Sequence, residues 1–157
     1  MPIAEREPLR WIVTEERTAF SANRAKDARL LRKGDTVLLY STRGCFNNPT
    51  RDRGRVTGRA TVLAKAYTLA EPVRFGDRDF PIGVQLRIDL LAAPRDGVVL
   101  SELVSRFSAS FPNASAWSAY LRRALVPLAD EDATVLIDLL GLVAHPYAAM
   151  RDEYAAL

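Results

Sequence analysis

The chain has 157 residues, of which 48% are hydrophobic and 26% are charged, a composition typical of one globular domain with its own core. It contains one cysteine, Cys45, and one histidine, His145, which excludes an intramolecular disulfide and a zinc site built from Cys and His ligands. The formal net charge of +3 is a modest excess of basic residues, so the distribution of charge is more informative than its sum.

The first third of the chain predicts a strand, a helix and a second strand. Residues 10–14 have the composition of a short buried strand that opens the domain. Thr14 is placed to cap a helix over the polar, Ala- and Arg-rich residues 15–32. After a turn at residues 33–35, residues 36–40 form the strongest predicted strand, because they are β-branched, apolar and aromatic.

The centre of the chain predicts further strands around one long loop. Residues 41–54 are rich in Gly, Asn and Pro, which make turns, so we expect a loop there. Residues 56–67 predict a long strand bent at Gly58, and residues 80–91 predict another. Apolar and polar residues alternate in the second of these strands, which indicates one buried face and one solvent-exposed face.

The last third predicts short helices. We expect a helix capped by Ser101, a helical turn over residues 115–123, and a helix over residues 130–143 that is capped by Asp130. Strands separated by so few helices do not form a βαβ repeat. The sequence therefore predicts an α+β protein with a mixed or antiparallel sheet, curled toward a barrel, with helices on its outside.

Arginines are concentrated in the predicted loop and the strand that follows it. Residues 43–59 hold five arginines against one acid, Asp52, whereas residues 127–157 hold six acids against one arginine. Arginine suits phosphate and stacking contacts better than lysine does. The candidates for contacts to a nucleic-acid backbone are Arg43, Arg51, Arg53 and Arg55. The alternative interpretation is a solvated charged loop.

The sequence also predicts the domain organisation and the cellular location of the protein. We expect a single domain over residues 1–157, with its core at about residues 9–143 and a C-terminal tail at residues 146–157 that is either a short extra helix or frayed. The N-terminus shows no secretory signal, and the apolar run at residues 133–144 is shorter than the roughly 20 residues of a membrane span. A single cysteine is typical of a reducing compartment. We therefore expect a cytoplasmic protein without a membrane partner, metal ion or cofactor.

The order of strands and glycines resembles that of a known family. Residues 31–41 (LRKGDTVLLYS) resemble the segment of EVE-type domains in which Gly-Asp precedes an apolar strand that ends in tyrosine. Residues 54–62 (GRVTGRATV) resemble the glycine-punctuated strand that follows, and residues 84–91 and 121–140 resemble the next strand and the closing segment. The resemblance covers most of residues 9–143. It implies a PUA-like mixed or antiparallel β-barrel with peripheral helices.

This resemblance also implies a pocket lined by aromatic side chains that accepts a flat group, such as a plain or modified nucleic-acid base in DNA or RNA. Trp11, on the predicted opening strand, and Trp117 are the implied lining residues, and a place in the core explains each of them equally well. The complete set of candidate ligand-binding residues is Trp11, Asn23, Tyr40, Ser41, Thr42, Trp117, Arg122 and Arg123.

The polar candidates also have structural interpretations. Tyr40 and the two residues after it lie where a predicted strand enters a loop, a good place for contacts to a ligand, although Tyr40 also suits a core. Asn23 either hydrogen-bonds a base edge or serves a turn. Arg122 and Arg123 either pair with a ligand anion or with the acidic last helix.

Two other function classes remain open. An ASCH-like small hydrolase or nuclease, acting on nucleic acid or nucleosides, would use a lysine or acid near the pocket, such as Lys33 or Asp35. A catalytic cysteine normally needs an activating base, and Cys45 and His145 are far apart in sequence, so a binding module is favoured over an enzyme. The third class is a protein-interaction or small-molecule-sensing domain.

Overall fold

Eight β-strands and five α-helices alternate irregularly along the chain in a computed structural model that describes residues 1–157. The strands are β1 (Pro2–Ile3), β2 (Arg17–Phe20), β3 (Thr36–Ser41), β4 (Arg55–Val62), β5 (Tyr67–Phe75), β6 (Arg78–Leu91), β7 (Val98–Val99) and β8 (His145–Pro146). The helices are α1 (Arg6–Glu15), α2 (Ala25–Leu30), α3 (Trp117–Tyr120), α4 (Asp130–Gly141) and α5 (Tyr147–Ala155).

The 14-residue strand β6 holds most of the sheet together. One of its edges pairs with β4 and β5, and the other pairs with β2 and β8, all antiparallel. β3 follows on the far side of β4, and β1 lies parallel to β3 with Pro2 opposite Tyr40. Register shifts at Leu39/Tyr40 and at Arg59/Ala60 mark irregularities of the bulge type, which increase local twist. The resulting curled mixed sheet, a half-barrel with helices around it, confirms the predicted α+β class.

β3 is buried on both faces and separates two apolar cores. Val37 and Leu39 belong to the first core, which contains the buried residues of α1 and α5. Leu38 and Tyr40 belong to the second core, which contains the two buried leucines of α4 and apolar residues from the 100–111 segment. A strand covered on both faces needs a continuous apolar run rather than an alternating one, which explains why this strand was clear in the sequence.

The prediction for the N-terminal region is wrong for residues 10–14, which lie in α1. Leu9, Ile12 and Val13 are buried on one face of that helix, and their i, i+3, i+4 spacing overrides the strand propensity of the segment. Thr14 caps nothing, since its hydroxyl donates to Arg10 O at 3.1 Å inside the last turn. The residues predicted as one long helix contain β2, a short 3-10 segment at Ala22–Arg24, and α2.

Three other element predictions need correction. The strand predicted over residues 56–67 ends at Val62, and Tyr67 begins the separate strand β5. The helix predicted after Ser101 is a single 3-10 turn, Leu100–Glu102. Asp130 is the first residue of α4 and its side chain makes no capping hydrogen bond. The turn at residues 33–35 is present, with Gly34 at a φ of +91°, a conformation that glycine adopts without a steric penalty.

A buried acid joins α4 to the segment that precedes it. The side chain of Asp132 accepts hydrogen bonds from Ser110 N at 3.1 Å and from Ser110 Oγ at 2.5 Å. Ser110 Oγ in turn accepts from Ala129 N, at the start of the helix. This network gives α4 the fixed start that the predicted cap would have supplied.

The predicted tail, residues 146–157, is a core element. It forms α5, and Tyr154 is fully buried, with its hydroxyl donating to Ala92 O at 3.0 Å. Because Ile3 of β1 is also buried, the core extends beyond residues 9–143 at both ends.

Both ends of the chain are held by hydrogen bonds to distant residues. The α-amino group of Met1 donates to Leu38 O at 2.8 Å, which continues the pairing of β1 with β3. At the other end, Tyr147 Oη donates to Val13 O at 2.9 Å and so joins α5 to α1. None of the five helices is long and apolar enough to cross a membrane.

Candidate ligand-binding site

A large cavity lies between the loop of residues 42–54 and the segment of residues 101–122. Its volume is about 700 Å³, within the range of small-molecule sites. We call it the Trp117 cavity. It is lined by Tyr40, Thr42, Arg43, Pro49, Thr50, Arg51, Asp52, Arg53, Gly54, Ser101, Trp117, Ser118, Leu121 and Arg122.

The aromatic part of this cavity is formed by Trp117 and Tyr40. Trp117 is the first residue of α3 and is partly buried, whereas Tyr40 is buried near the end of β3. Tyr40 lies directly over Gly54, where any Cβ would overlap the phenol hydroxyl. Glycine at position 54 therefore makes the room in which the Tyr40 ring reaches the cavity.

Tyr40 is a neutral hydrogen-bonding group at this position. Burial raises the pKa of Tyr40 to about 12, and the nearby Arg43 guanidinium acts in the opposite direction. The phenol is therefore protonated at neutral pH. It can donate one hydrogen bond to a ligand and accept another.

The lining of the Trp117 cavity is strongly basic, with four arginines against one aspartate. Arg53 is held by Glu102 Oε1 at 2.6 Å and donates to Ser101 Oγ at 3.4 Å. The other three lining arginines take part in none of the chain's ion pairs. These are Arg43, Arg51 and Arg122. Their charges are therefore available to an anionic ligand.

Asp52 is the one acid of the lining. Its Oδ2 is buried and has no hydrogen-bond partner in the chain. An unpaired buried acceptor is costly, so such groups call for an explanation by a role other than packing. Sequence reasoning treated Asp52 only as an offset to the arginine charge, although its position as the sole acid in an arginine-rich loop singled it out.

The structure brings together seven of the residues proposed from sequence. They are Tyr40, Thr42, Arg43, Arg51, Arg53, Trp117 and Arg122. The sequence did not identify Ser101, Ser118 and Leu121 as lining residues. Leu121 follows Trp117 by four positions, a same-face helical spacing that the predicted turn at 115–123 already contained.

Trp11 and Asn23 lie away from the Trp117 cavity. Trp11, on α1, packs edge-on against Phe75 with ring centroids 5.8 Å apart, and the Arg17 guanidinium lies 5.1 Å from its ring centroid. It borders a separate cavity of about 210 Å³. Asn23 serves a turn, since its Oδ1 accepts from Ser21 Oγ.

The remaining predicted residues lie near the Trp117 cavity without lining it. Arg123 stacks on Tyr120, with its guanidinium carbon 5.6 Å from the ring centroid. Ser41 is buried and donates to Arg55 O at 3.4 Å, and Arg55 Nη1 donates to Gly97 O at 3.0 Å.

The groups considered for catalysis are not assembled at this cavity. Cys45 is fully buried, and burial together with the Asp52 and Glu5 carboxylates raises its thiol pKa to about 12, which disfavours the nucleophilic thiolate. His145 lies on β8, opposite Leu91. Asp35 accepts from Arg32 N in the turn before β3, whereas Tyr40 contacts the cavity near the opposite end of that strand.

Comparison with known proteins supports the fold alone. No family model matches the chain, and no curated protein matches it. Among solved structures, a protein from Rhodopseudomonas palustris determined by NMR matches 88% of this chain and 86% of its own, with 18% identity and a TM-score of 0.52. A crystal structure from Pseudomonas putida matches 88% of this chain and 96% of its own, with 14% identity and a TM-score of 0.53. The chain thus shares its curled α+β architecture with these two proteins.

Proposed function

We propose that this chain is a binding module that recognises a nucleic-acid base, plain or modified, in the Trp117 cavity. One observation carries the proposal. Trp117 and Tyr40 come together with three arginines that have no carboxylate partner, in one cavity of about 700 Å³. A ligand that satisfies both parts of this lining is flat, polar at its edges and attached to negative charge, and a nucleotide has all three properties.

The aromatic part of the lining supports base stacking. A base that stacks on an aromatic side chain gains about 1–3 kcal/mol, and this gain tolerates any base because each has a π face. Identity is then read at the edges of the base by hydrogen bonds. The Tyr40 hydroxyl and the Thr42 side chain offer donors and acceptors, and Asp52 offers a carboxylate acceptor.

The arginines support contact with phosphate groups. Each neutralised phosphate of a single strand contributes about −0.7 to the slope of log K against log salt, so three arginines predict a slope of about −2. Between about 50 and 200 mM salt this slope weakens binding roughly 20-fold.

The resemblance of the sequence to EVE-type PUA-like domains points to the same class of ligand. Two of the segments that carry the resemblance, residues 31–41 and 54–62, contain β3 and β4, and the loop between these strands supplies eight of the 14 residues of the cavity lining. We include membership of that superfamily, and a cytoplasmic location, in the proposal. No arrangement of Lys33 or Asp35 at the cavity favours the hydrolase alternative.

The test is binding of fluorescent single-stranded and duplex oligonucleotides, with and without modified bases, at two salt concentrations. Trp117→Ala is compared with Trp11→Ala, a matched control because Trp11 is also a partly buried helical tryptophan but lies outside the cavity. We expect Trp117→Ala to weaken binding by about 5- to 150-fold and Trp11→Ala to leave it nearly unchanged, with circular dichroism confirming that both variants fold. Absence of binding to every oligonucleotide, or equal losses in the two variants, would overturn the proposal.

A further inference from the structure

A small notch adjoins the Trp117 cavity and shares part of its wall. We call it the arginine notch, and its volume is about 90 Å³. It is lined by Ser41, Phe46, Arg51, Asp52, Arg53, Arg55 and Arg95. Arg51, Asp52 and Arg53 line both spaces, so a group in the notch and a group in the cavity would touch the same three side chains.

Three of the four arginines of the notch have contacts that orient them. Arg55 Nη1 donates to Gly97 O at 3.0 Å, and Arg53 is held by Glu102. The Arg95 guanidinium lies over the ring of Phe46, 5.3 Å from its centroid. Ordered guanidinium groups lose little freedom when an anion arrives, so such a site binds with a smaller entropic cost.

The backbone at Arg95 adds an independent observation. Its φ is +69°, a left-handed conformation that is uncommon for residues other than glycine, asparagine and aspartate. Arginine nevertheless occupies this position and directs its side chain onto Phe46 at the edge of the notch. The backbone conformation does not favour arginine at position 95, so we attribute a role to its side chain.

The notch concentrates positive charge beyond what its acids offset. It holds four arginines and one aspartate. Asp96 and Glu102 pair with Arg55 and Arg53 at 3.8 and 2.6 Å, whereas Arg51 and Arg95 take part in no ion pair. Like charges brought this close repel one another, and an anion between them relieves the repulsion.

Size distinguishes the occupant of the notch from that of the cavity. The notch, at about 90 Å³, is much smaller than the Trp117 cavity, at about 700 Å³, so it suits a compact anion better than a base. Resting on the proposed base recognition, we infer that the arginine notch binds the phosphate group of the nucleotide whose base occupies the Trp117 cavity. The ligand class is thus a nucleoside phosphate, either free or within a strand.

The test measures affinities by calorimetry for three probes: a nucleoside, its monophosphate, and a short oligonucleotide of the same base. The main variant is Arg95→Gly, since glycine adopts the positive φ without strain and we expect the fold to be kept, which circular dichroism checks. The matched control is Arg29→Ala, which removes an exposed arginine of α2 that forms no ion pair and lines neither space. Arg95 lines only the notch, so its loss leaves the aromatic part of the site intact.

We expect the monophosphate to bind about ten-fold or more tightly than the nucleoside, as charge-assisted hydrogen bonds allow. Arg95→Gly should remove most of that difference without changing the affinity for the nucleoside, and Arg29→Ala should change neither. Tighter binding of the oligonucleotide than of the monophosphate would assign the phosphate to a strand, and the reverse would assign it to a free nucleotide. Both results support the notch.

Two results overturn the inference in distinguishable ways. Equal affinities for nucleoside and monophosphate, or equal losses of both in Arg95→Gly, remove the phosphate site and leave base recognition standing. A monophosphate that binds Trp117→Ala as tightly as the unaltered chain removes base recognition, and the inference built on it falls as well.

Discussion

The α-amino group of Met1 is buried against β3, where it donates to Leu38 O. Burial lowers the pKa of this amine from 8.0 to about 5, because the charged form loses its hydration. In the unfolded chain the amine is exposed and titrates near its ordinary pKa of about 8. Between these two values the unfolded chain binds a proton that the folded chain does not. Raising the pH through this window therefore stabilises the fold, and lowering it destabilises the fold.

The change in the free energy of unfolding follows from the difference between the two pKa values of the Met1 amine. Each pKa unit corresponds to about 1.4 kcal/mol, so the full shift of about three units is worth about 4 kcal/mol. Between pH of about 5.5 and about 8, the expected gain in the free energy of unfolding is about 3 kcal/mol. Domains of this kind are stable by roughly 5–15 kcal/mol, so the gain is a large share of the total.

The assay is urea unfolding followed by tryptophan fluorescence at a series of pH values. Histidine side chains normally titrate in the same window, so the measurement uses a His145→Asn background, which removes the only histidine. A chain with an acetylated N-terminus should lose the pH dependence, because the amide that replaces the amine carries no proton to release. A free energy of unfolding that stays flat or falls as the pH rises would refute the reasoning.

Three further outcomes follow from buried groups. Tyr154→Phe removes the hydrogen bond to Ala92 O and should lower the free energy of unfolding by about 1–2 kcal/mol, whereas Tyr154→Ala should lower it by about 3–5 kcal/mol in urea titrations. Cys45 should resist thiol reagents at a pH of about 8 in the folded protein and react readily in urea, and rapid labelling of the native chain would contradict its assigned burial. Asp132→Ala leaves the buried Ser110 without its acceptor and should cost about 2–4 kcal/mol in thermal or urea unfolding, and a change below about 0.5 kcal/mol would show that the network is dispensable.

The parts of the fold that sequence reasoning predicted correctly have strong local signals. β3 is a continuous apolar run, and much of β6 alternates with a period of two. The prediction for residues 10–14 is wrong because Trp, Ile and Val favour strands. The residues that are buried follow a helical spacing, and that spacing begins with Leu9. The sequence does not distinguish a short helix from a frayed tail over residues 146–157, because they contain no Ile or Val and no clear apolar stripe, although Tyr154 is among the most deeply buried side chains of the chain.

The candidate site could likewise be predicted only in part from the sequence. Its two walls come together because β7 pairs with β4, with Val99 opposite Arg55, which sets Ser101 beside Arg53. β7 is only two residues long and has no periodicity to detect. Sequence reasoning could therefore choose Trp117 and the loop arginines one by one, by chemistry, but could not show which of them share a cavity with Ser101.

The contact between the first and last helices also determines when the protein can fold during synthesis. The hydrogen bond from Tyr147 to Val13 O spans 134 positions, and α5 supplies part of the core on which α1 packs. At about 5–20 residues per second a ribosome needs roughly 8–30 s for a chain of this length. Until α5 is made, the apolar face of α1 lacks the contacts that this helix supplies, so the nascent chain completes its core only after α5 has left the exit tunnel. Folding then depends on long-range pairing rather than on local helix formation alone, and the apolar residues that pack on α5 stay exposed in the nascent chain until that helix arrives.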